Sequence, residues 1–174
     1  MKRLLIIGSG GAGKSTLARR LGDRTGLPVI HLDAHYWHDG WVETPRDAWR
    51  RIVGEMIERD AWVMDGNYGG TLDARLAACD TVIFLDVSRV VCAWRIVRRR
   101  IMFAGRARPE MPVGCPERMT WEFFQWVWTY PTRRRAGILA RLSRLRADQR
   151  VVILRTRHDI EHFLATAPDE NQAT

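Results

Sequence analysis

Lysine is nearly absent from this sequence. It stands only at Lys2 and Lys14, and the rest of a positive charge that leaves the chain at net +8 is arginine. A chain that uses arginine almost everywhere else does not place lysine at position 14 by drift. A compact ammonium can follow a moving phosphoryl group where a planar guanidinium is a poor substitute. Cysteine is scarce as well. Cys79, Cys92 and Cys115 are odd in number and lack metal-ligand spacing, which argues against a disulfide framework and fits a reduced, cytoplasmic setting. No apolar run approaches the length that spans a bilayer, so no membrane partner is expected. Residues 1–7 have a basic pair and an apolar stretch, yet the stretch is too short for a signal peptide and runs straight into glycines. It reads as a first strand. Repeats and low-complexity linkers are missing, and 174 residues make room for one domain over 1–174 but not for two.

What is present is an alternation. Short apolar runs at 4–7, 28–32, 61–64, 81–85 and 151–154 end in Gly, Asp or Arg. Between them, helical periodicity runs over 14–22, 45–58, 71–78, 89–102, 117–128, 132–146 and 159–165. Such an order predicts an α/β fold, with a parallel sheet covered on both faces. One long irregular stretch, about 103–116, carries Gly105, Pro109, Pro112, Gly114 and Pro116, as a lid does. A frayed tail is expected from Pro168 onward.

The first strand leads into Gly8-Ser9-Gly10-Gly11-Ala12-Gly13-Lys14-Ser15, and a helix opens at Lys14. Glycines let main-chain N–H groups turn inward around phosphates, and the helix N-terminus adds partial positive charge. Strand, loop and helix in that order are the context a triphosphate cradle requires. ATP with Mg²⁺ is therefore the expected ligand. Lys14 is expected on the β- and γ-phosphates, the Ser15 hydroxyl on the metal, and Thr16 beside them at the start of the helix.

In parallel sheets, ligands lie beyond the carboxyl ends of the strands. Asp33 and Asp65 follow two of them. Asp65 suits a magnesium-water role and Asp33 suits accepting the proton of an attacking hydroxyl; both also suit turn capping. Asp86 ends another strand, and capping is its better reading. Arg95 and Arg99 share one helix face. Arg106 and Arg108 lie in the irregular stretch, and Arg133, Arg134 and Arg135 are expected to open the helix after it. Arginines on and beside a lid can close on a γ-phosphate and exclude water. His31, Asp33, His35 and His38 are clustered but lack the thiolates usual in structural zinc sites. Trp121, Trp126, Trp128 and Tyr130 read as helix core.

With these residues in place, the chain resembles the adenylate-kinase-like P-loop kinases, and more closely the proteins of that group known as topology-modulation proteins. The likeness extends over nearly the whole chain: the GSGGAGKS loop, His31-Leu32-Asp33, Gly40-Trp41-Val42-Glu43-Thr44-Pro45-Arg46, Trp62-Val63-Met64-Asp65-Gly66-Asn67-Tyr68, Phe84-Leu85-Asp86 and Gly114-Cys115-Pro116-Glu117. It implies a three-layer sandwich around five parallel strands, an acceptor-binding segment over about 31–73 and an arginine-rich lid. Arg95-Ile96-Val97-Arg98-Arg99 matches a run that, in adenylate kinases, places one arginine against adenine and one on the phosphates; Arg95 and Arg99 inherit those roles. Adenine would also meet the turn at Arg155-Thr156-Arg157. Acceptor contacts fall to Asp33, Trp37, Arg46, Asn67 and Tyr68, and Lys14, Asp33, Arg99 and Arg133 make the catalytic set. Nucleoside monophosphate kinases carry an arginine shortly after the Asp-Gly pair, where this chain reads Asn67-Tyr68-Gly69-Gly70-Thr71, which counts against AMP.

Charge is uneven. Between His31 and Asp73 nine acids face four arginines, a net −5 inside a chain of +8. A polyhydroxylated or cationic acceptor, such as an aminosugar or aminoglycoside, suits an acidic lobe. The acids over 45–60 equally suit a solvated helix. The expected function is an ATP-dependent kinase acting on a small-molecule hydroxyl. Alternatives are a nucleoside monophosphate kinase and an ATP-switched nucleic-acid-binding protein, the latter motivated by the basic stretch at 133–150.

Overall fold

The structure, a computed structural model, describes residues 1–167. The tail expected from Pro168 lies outside the described residues.

Five strands form the central sheet: β1 (Arg3–Gly8), β2 (Val29–His31), β5 (Trp62–Asp65), β6 (Thr81–Leu85) and β7 (Arg150–Leu154). Their spatial order is β2-β5-β1-β6-β7, and every neighbouring pair is parallel. β1, β5 and β6 each lie between two strands, and nearly all of their residues are buried, so they carry apolar side chains on both faces without alternation. Around them run α1 (Lys14–Thr25), α3 (Arg46–Ile57), α4 (Leu72–Ala78), α5 (Arg89–Met102), α6 (Trp121–Arg133), α7 (Arg135–Leu142) and α8 (Arg157–Thr166).

Successive side chains of a strand point to opposite faces, and two cores result. Leu5, Ile7, Val82 and Phe84 pack against Trp49, Val53 and Met56 of α3 and Leu72 and Leu76 of α4. Leu4, Ile6, Ile83 and Leu85 pack against Leu17 and Leu21 of α1, Cys92 and Ile96 of α5 and Phe163 and Leu164 of α8. The expected sandwich is present.

Local order departs from the sequence reading in three places. Asp33 does not follow the second strand directly. It sits in a short helix, α2 (Leu32–Tyr36), followed by a hairpin of β3 (Trp37–His38) and β4 (Val42–Glu43). Second, the helix expected from Glu117 begins at Trp121, because the Thr120 hydroxyl accepts the Phe123 N–H at 3.2 Å and caps it. Third, that helix runs through Pro131 to Arg133, since Val127 and Tyr130 keep a buried stripe in register. Arg133 thus closes α6 rather than opening the next helix.

Candidate active site

The loop between β1 and α1 is fixed from outside. Asn67, just beyond β5, grips Gly8 at both ends: its Oδ1 accepts the Gly8 N–H at 3.2 Å and its Nδ2 donates to the Gly8 carbonyl at 2.7 Å. Lys14 Nζ donates back to the Ser9 carbonyl at 3.0 Å. Arg95 Nη1 donates to the Ala12 carbonyl at 3.2 Å and reaches the Gly11 carbonyl at 3.4 Å. Gly11 has φ +76°, and a side chain there would strike the Cys92 carbonyl of α5. Gly13, at φ +102°, faces the other way; a Cβ added there would meet only Arg95, at 3.7 Å, in the open cleft. The glycines therefore let α5 approach from below and leave the upper side free for a ligand.

That cleft, about 730 Å³, collects most of the expected residues. Gly10, Gly11, Gly13, Lys14, Ser15 and Thr16 line it, with Asp33, Trp37, Asp65, Asn67, Tyr68, Arg95 and Arg99. Gly8 and Ala12 stand behind the loop, Gly8 in the Asn67 grip and Ala12 in the core. Burial in this crowded space lowers the Lys14 pKa, against the opposing pull of Asp65 and Asp33, so the ammonium lacks its full complement of anionic partners.

Each acid is held by one neighbour. His31 and Asp65 are paired in the β2–β5 register, and the imidazole Nδ1 lies 2.7 Å from Asp65 Oδ1. Burial works against charge on His31, but the hydrogen bond and the charge of Asp65 outweigh it and raise its pKa. Tyr68 donates its hydroxyl to Asp33 Oδ1 at 2.6 Å. Burial and the Asp33 charge both raise the Tyr68 pKa, so the phenol stays protonated and remains a donor. Among the described residues nothing bonds to the second Asp33 oxygen, which can accept from another ligand. His38 turns to the Thr44 hydroxyl, at 3.1 Å. Among the described residues no three His, Cys, Asp or Glu side chains converge on one point.

Three functional positions were not singled out from the sequence. Glu117 is almost wholly buried and gathers two arginines: Arg99 Nε donates to Oε1 at 2.9 Å, and Arg108 Nε lies 2.6 Å from Oε2, close enough for an ion pair though outside hydrogen-bond alignment. Burial, then the neighbouring Arg108, lowers the Arg99 pKa even with Glu117 beside it. Arg75 is fully buried and donates to the carbonyls of Gly66, Asn67 and Tyr68. An arginine does stand near the Asp-Gly-Asn-Tyr loop, then, but beneath it, holding main chain. Arg118 stacks over Trp41, 4.4 Å from the ring centre, on the wall of the cleft. The Gly-Trp and Pro-Glu stretches quoted above were the available signals for Trp41 and Glu117.

Other expected residues are elsewhere. Arg133 is exposed and lines a separate aromatic groove on α6, because α6 extends past Pro131 and carries it outward. Arg135 forks onto Asp86 at 2.9 Å, so Asp86 is an arginine anchor rather than a main-chain cap, and Arg155 joins it at 3.3 Å. Arg157, exposed in the first turn of α8, and Arg46, exposed at the start of α3, line no part of the cleft. Arg106 is likewise outside it. Of the nine acids between His31 and Asp73, only Asp33 and Asp65 face the cleft; Asp47, Glu55, Glu58 and Asp60 are exposed on or beside α3. Most of that lobe's negative charge is thus turned to solvent, away from the cleft. In the tryptophan group, Tyr130 is core and Trp126 bridges core and cleft, but Trp121 and Trp128 face outward.

No family model and no curated protein matches the sequence. Solved structures do share the fold. A shikimate kinase from Acinetobacter baumannii in complex with shikimate is 14% identical, with 95% of this chain and 89% of that one covered, at a TM-score of 0.64. A sugar kinase from Janibacter is 18% identical over 95% and 93%, at 0.52. A gluconokinase from Sinorhizobium meliloti is 17% identical over 94% and 91%, at 0.50. All three share this chain's fold.

Proposed function

We propose that this chain is an ATP-dependent kinase that phosphorylates a hydroxyl of a small polyhydroxylated molecule. One observation carries the reading. The glycine loop with Lys14, the Asp33 carboxylate with one oxygen free, and arginines from α5 and the 103–120 segment all line a single cleft. The names of the structures sharing the fold, kinases of shikimate, sugars and gluconate, point the same way. The Asp-Gly-Asn-Tyr and Gly-Trp-Val-Glu-Thr-Pro-Arg stretches support a likeness to the topology-modulation-type proteins of the adenylate-kinase-like group.

Main-chain N–H groups of residues 10–15 and the amino end of α1 take the phosphates, and Arg95 steadies the loop beneath them. Lys14 leaves the Ser9 carbonyl for the β- and γ-phosphates, which restores a full charge partner to an ammonium that burial disfavours. Magnesium, when bound, neutralises charge between those phosphates; Ser15 and, through water, Asp65 would hold it. Asp33 orients the acceptor hydroxyl with its free oxygen and takes its proton as the oxygen bonds to phosphorus and the bond to the β-phosphate breaks. Arg99 and Arg108 face the transferring group from opposite sides of Glu117. Segment 103–116 serves as the lid and 31–73 as the acceptor segment, with the ring of the acceptor against Trp37 and Trp41.

A coupled ADP-release assay tests this, run over neutral sugars, hydroxy acids, aminosugars and nucleoside monophosphates. Turnover should be stimulated by a polyhydroxylated compound. In Asp33→Asn that stimulation should fall by about 10²–10⁴-fold. Stimulation by nucleoside monophosphates alone would transfer the assignment to a nucleotide kinase, and no stimulation by any hydroxyl compound would end it. Nucleic-acid binding is less well supported, because Arg135, Arg141 and Arg146 of the basic stretch are engaged by Asp86, Asp73 and Asp148.

A further inference from the structure

Asp33 has a weak mount of its own. Its helix, α2, has five residues, too few to hold a shape by internal hydrogen bonds alone. The side chain bonded to its carboxylate is Tyr68, through the 2.6 Å contact at Oδ1. Tyr68, by contrast, is held from several directions. Its ring packs against Tyr36 and Trp49, with ring centres 4.6 and 4.9 Å away. Its carbonyl accepts from Arg75 Nη2 at 3.0 Å, from the Thr71 N–H at 3.0 Å and from the Thr71 hydroxyl at 3.2 Å. Arg75 is itself fully buried, so water does not compete for that grip.

The backbone supplies an independent sign. Tyr68 has φ +30°, and among the described residues only Trp41 shares a positive φ without being glycine. A bulky residue stays in that region only where its surroundings over-determine it, and such residues gather at functional sites. Glycine would relieve the strain but bring no hydroxyl. The residue before it, Asn67, bonds both the N–H and the carbonyl of Gly8. Two adjacent side chains thus tie Asp33 and the glycine loop to one short stretch of backbone anchored on Arg75.

We propose that Tyr68 is a positioning residue for Asp33: its hydroxyl occupies Oδ1 and turns Oδ2 to the acceptor, at a separation from the glycine loop set by the Asn67–Tyr68 backbone. This rests on the kinase reading above and departs from the acceptor contact that the sequence suggested for Tyr68. A carboxylate with both oxygens free can rotate and offer either one. With Oδ1 engaged, one oxygen stays aimed, and a misplacement of about 1 Å at such a group costs about 10²-fold in rate. A phenol does this without adding a second charge to the cleft, because it stays protonated.

Tyr68→Phe removes the hydroxyl and keeps the ring that packs. With a hydroxyl compound that stimulates ADP release, kcat should fall by about 10–10²-fold while acceptor KM changes by less than about threefold. In the Asp33→Asn background the same substitution should cost less than about twofold more, since its effect runs through Asp33. A readout independent of turnover is the Tyr68 hydroxyl proton in NMR. It should give a slowly exchanging downfield signal that is absent from Tyr68→Phe and from Asp33→Ala. An equal fall in the Asp33→Asn background, or a raised acceptor KM with kcat unchanged, overturns the proposal and returns Tyr68 to the acceptor. A missing hydroxyl signal beside intact wild-type turnover overturns it as well. A signal present in a protein that no hydroxyl compound stimulates ends the kinase reading, and the positioning role with it.

Discussion

The two halves of the cleft are built by different means. The half proposed for nucleotide is one contiguous stretch, Gly8–Ser15, whose chemistry is main chain and whose shape is set by glycine. The half proposed for the acceptor is assembled from α2, the hairpin, the Asn67–Tyr68 loop and the 103–120 segment, and its chemistry is side chain. Backbone amides cannot be substituted away, so the first half is vulnerable to substitution chiefly at Lys14 and the glycines. Every contact in the second half is open to exchange. A scaffold built this way can keep one phosphoryl donor while its acceptor varies.

Breaking the first half should have the largest effect. Lys14→Ala should reduce nucleotide turnover by about 10²–10³-fold, with magnesium-dependent ATP binding weakened in calorimetry. If uptake is untouched, the distinction between the halves fails. Next comes Arg75→Met, which removes the donor for three carbonyls beneath the acceptor loop. It should lower unfolding free energy by about 2–3 kcal/mol in urea titration, and acceptor KM should rise more than ATP KM. Equal changes in both would mean the loop belongs to the whole cleft.

Asn67 lies on the border. Asn67→Ala removes two hydrogen bonds to Gly8, and a loss of about 1–2 kcal/mol with weaker ATP binding is expected. Impaired acceptor binding alone would return Asn67 to the substrate role read from the sequence.

The smallest effect is a control outside the cleft lining. Asp159 closes a capping box with Thr156 and accepts the N–H groups of Arg155 and Thr156 at 2.8 and 3.0 Å. Those main-chain bonds hold its carboxyl at about 2, below the ordinary 3.8. A depressed pKa means the contribution is complete above 3.8 and is lost as pH falls through 2. Amide exchange of Arg155 and Thr156 should quicken over that interval, with the cleft amides unaffected.

This division also explains what the sequence could reveal. The sheet was legible because buried parallel strands are near-continuous apolar runs, and the glycine loop because its residues are adjacent. Asp33 and Asp65 were found as strand-end acids. Arg133 was misplaced because the periodicity was read as two segments, 117–128 and 132–146, where Val127 and Tyr130 carry one helix on through Pro131 to Arg133. Arg46 and Arg157 fell near the right motifs but on the outer surface, where local sequence gives no direction. Arg118 meets Trp41 from far along the chain, whereas Arg75 and Glu117 meet partners a few turns away through irregular loops, where no helix or strand spacing marks them. Lobe charge misled for the same reason: α3 turns its acids to water.

The hairpin is stitched to the far segment by three hydrogen bonds, each accepted by a main-chain carbonyl. Gly40 donates its N–H to the Gly114 carbonyl at 2.9 Å, Trp41 Nε1 donates to Pro116 at 3.1 Å, and the Cys115 thiol donates to His38 at 3.1 Å. Jaws fastened at the hinge side of their tips do not swing separately. Whatever draws one inward carries the other along, and the indole at position 41, riding on that seam, should change its fluorescence when either substrate arrives.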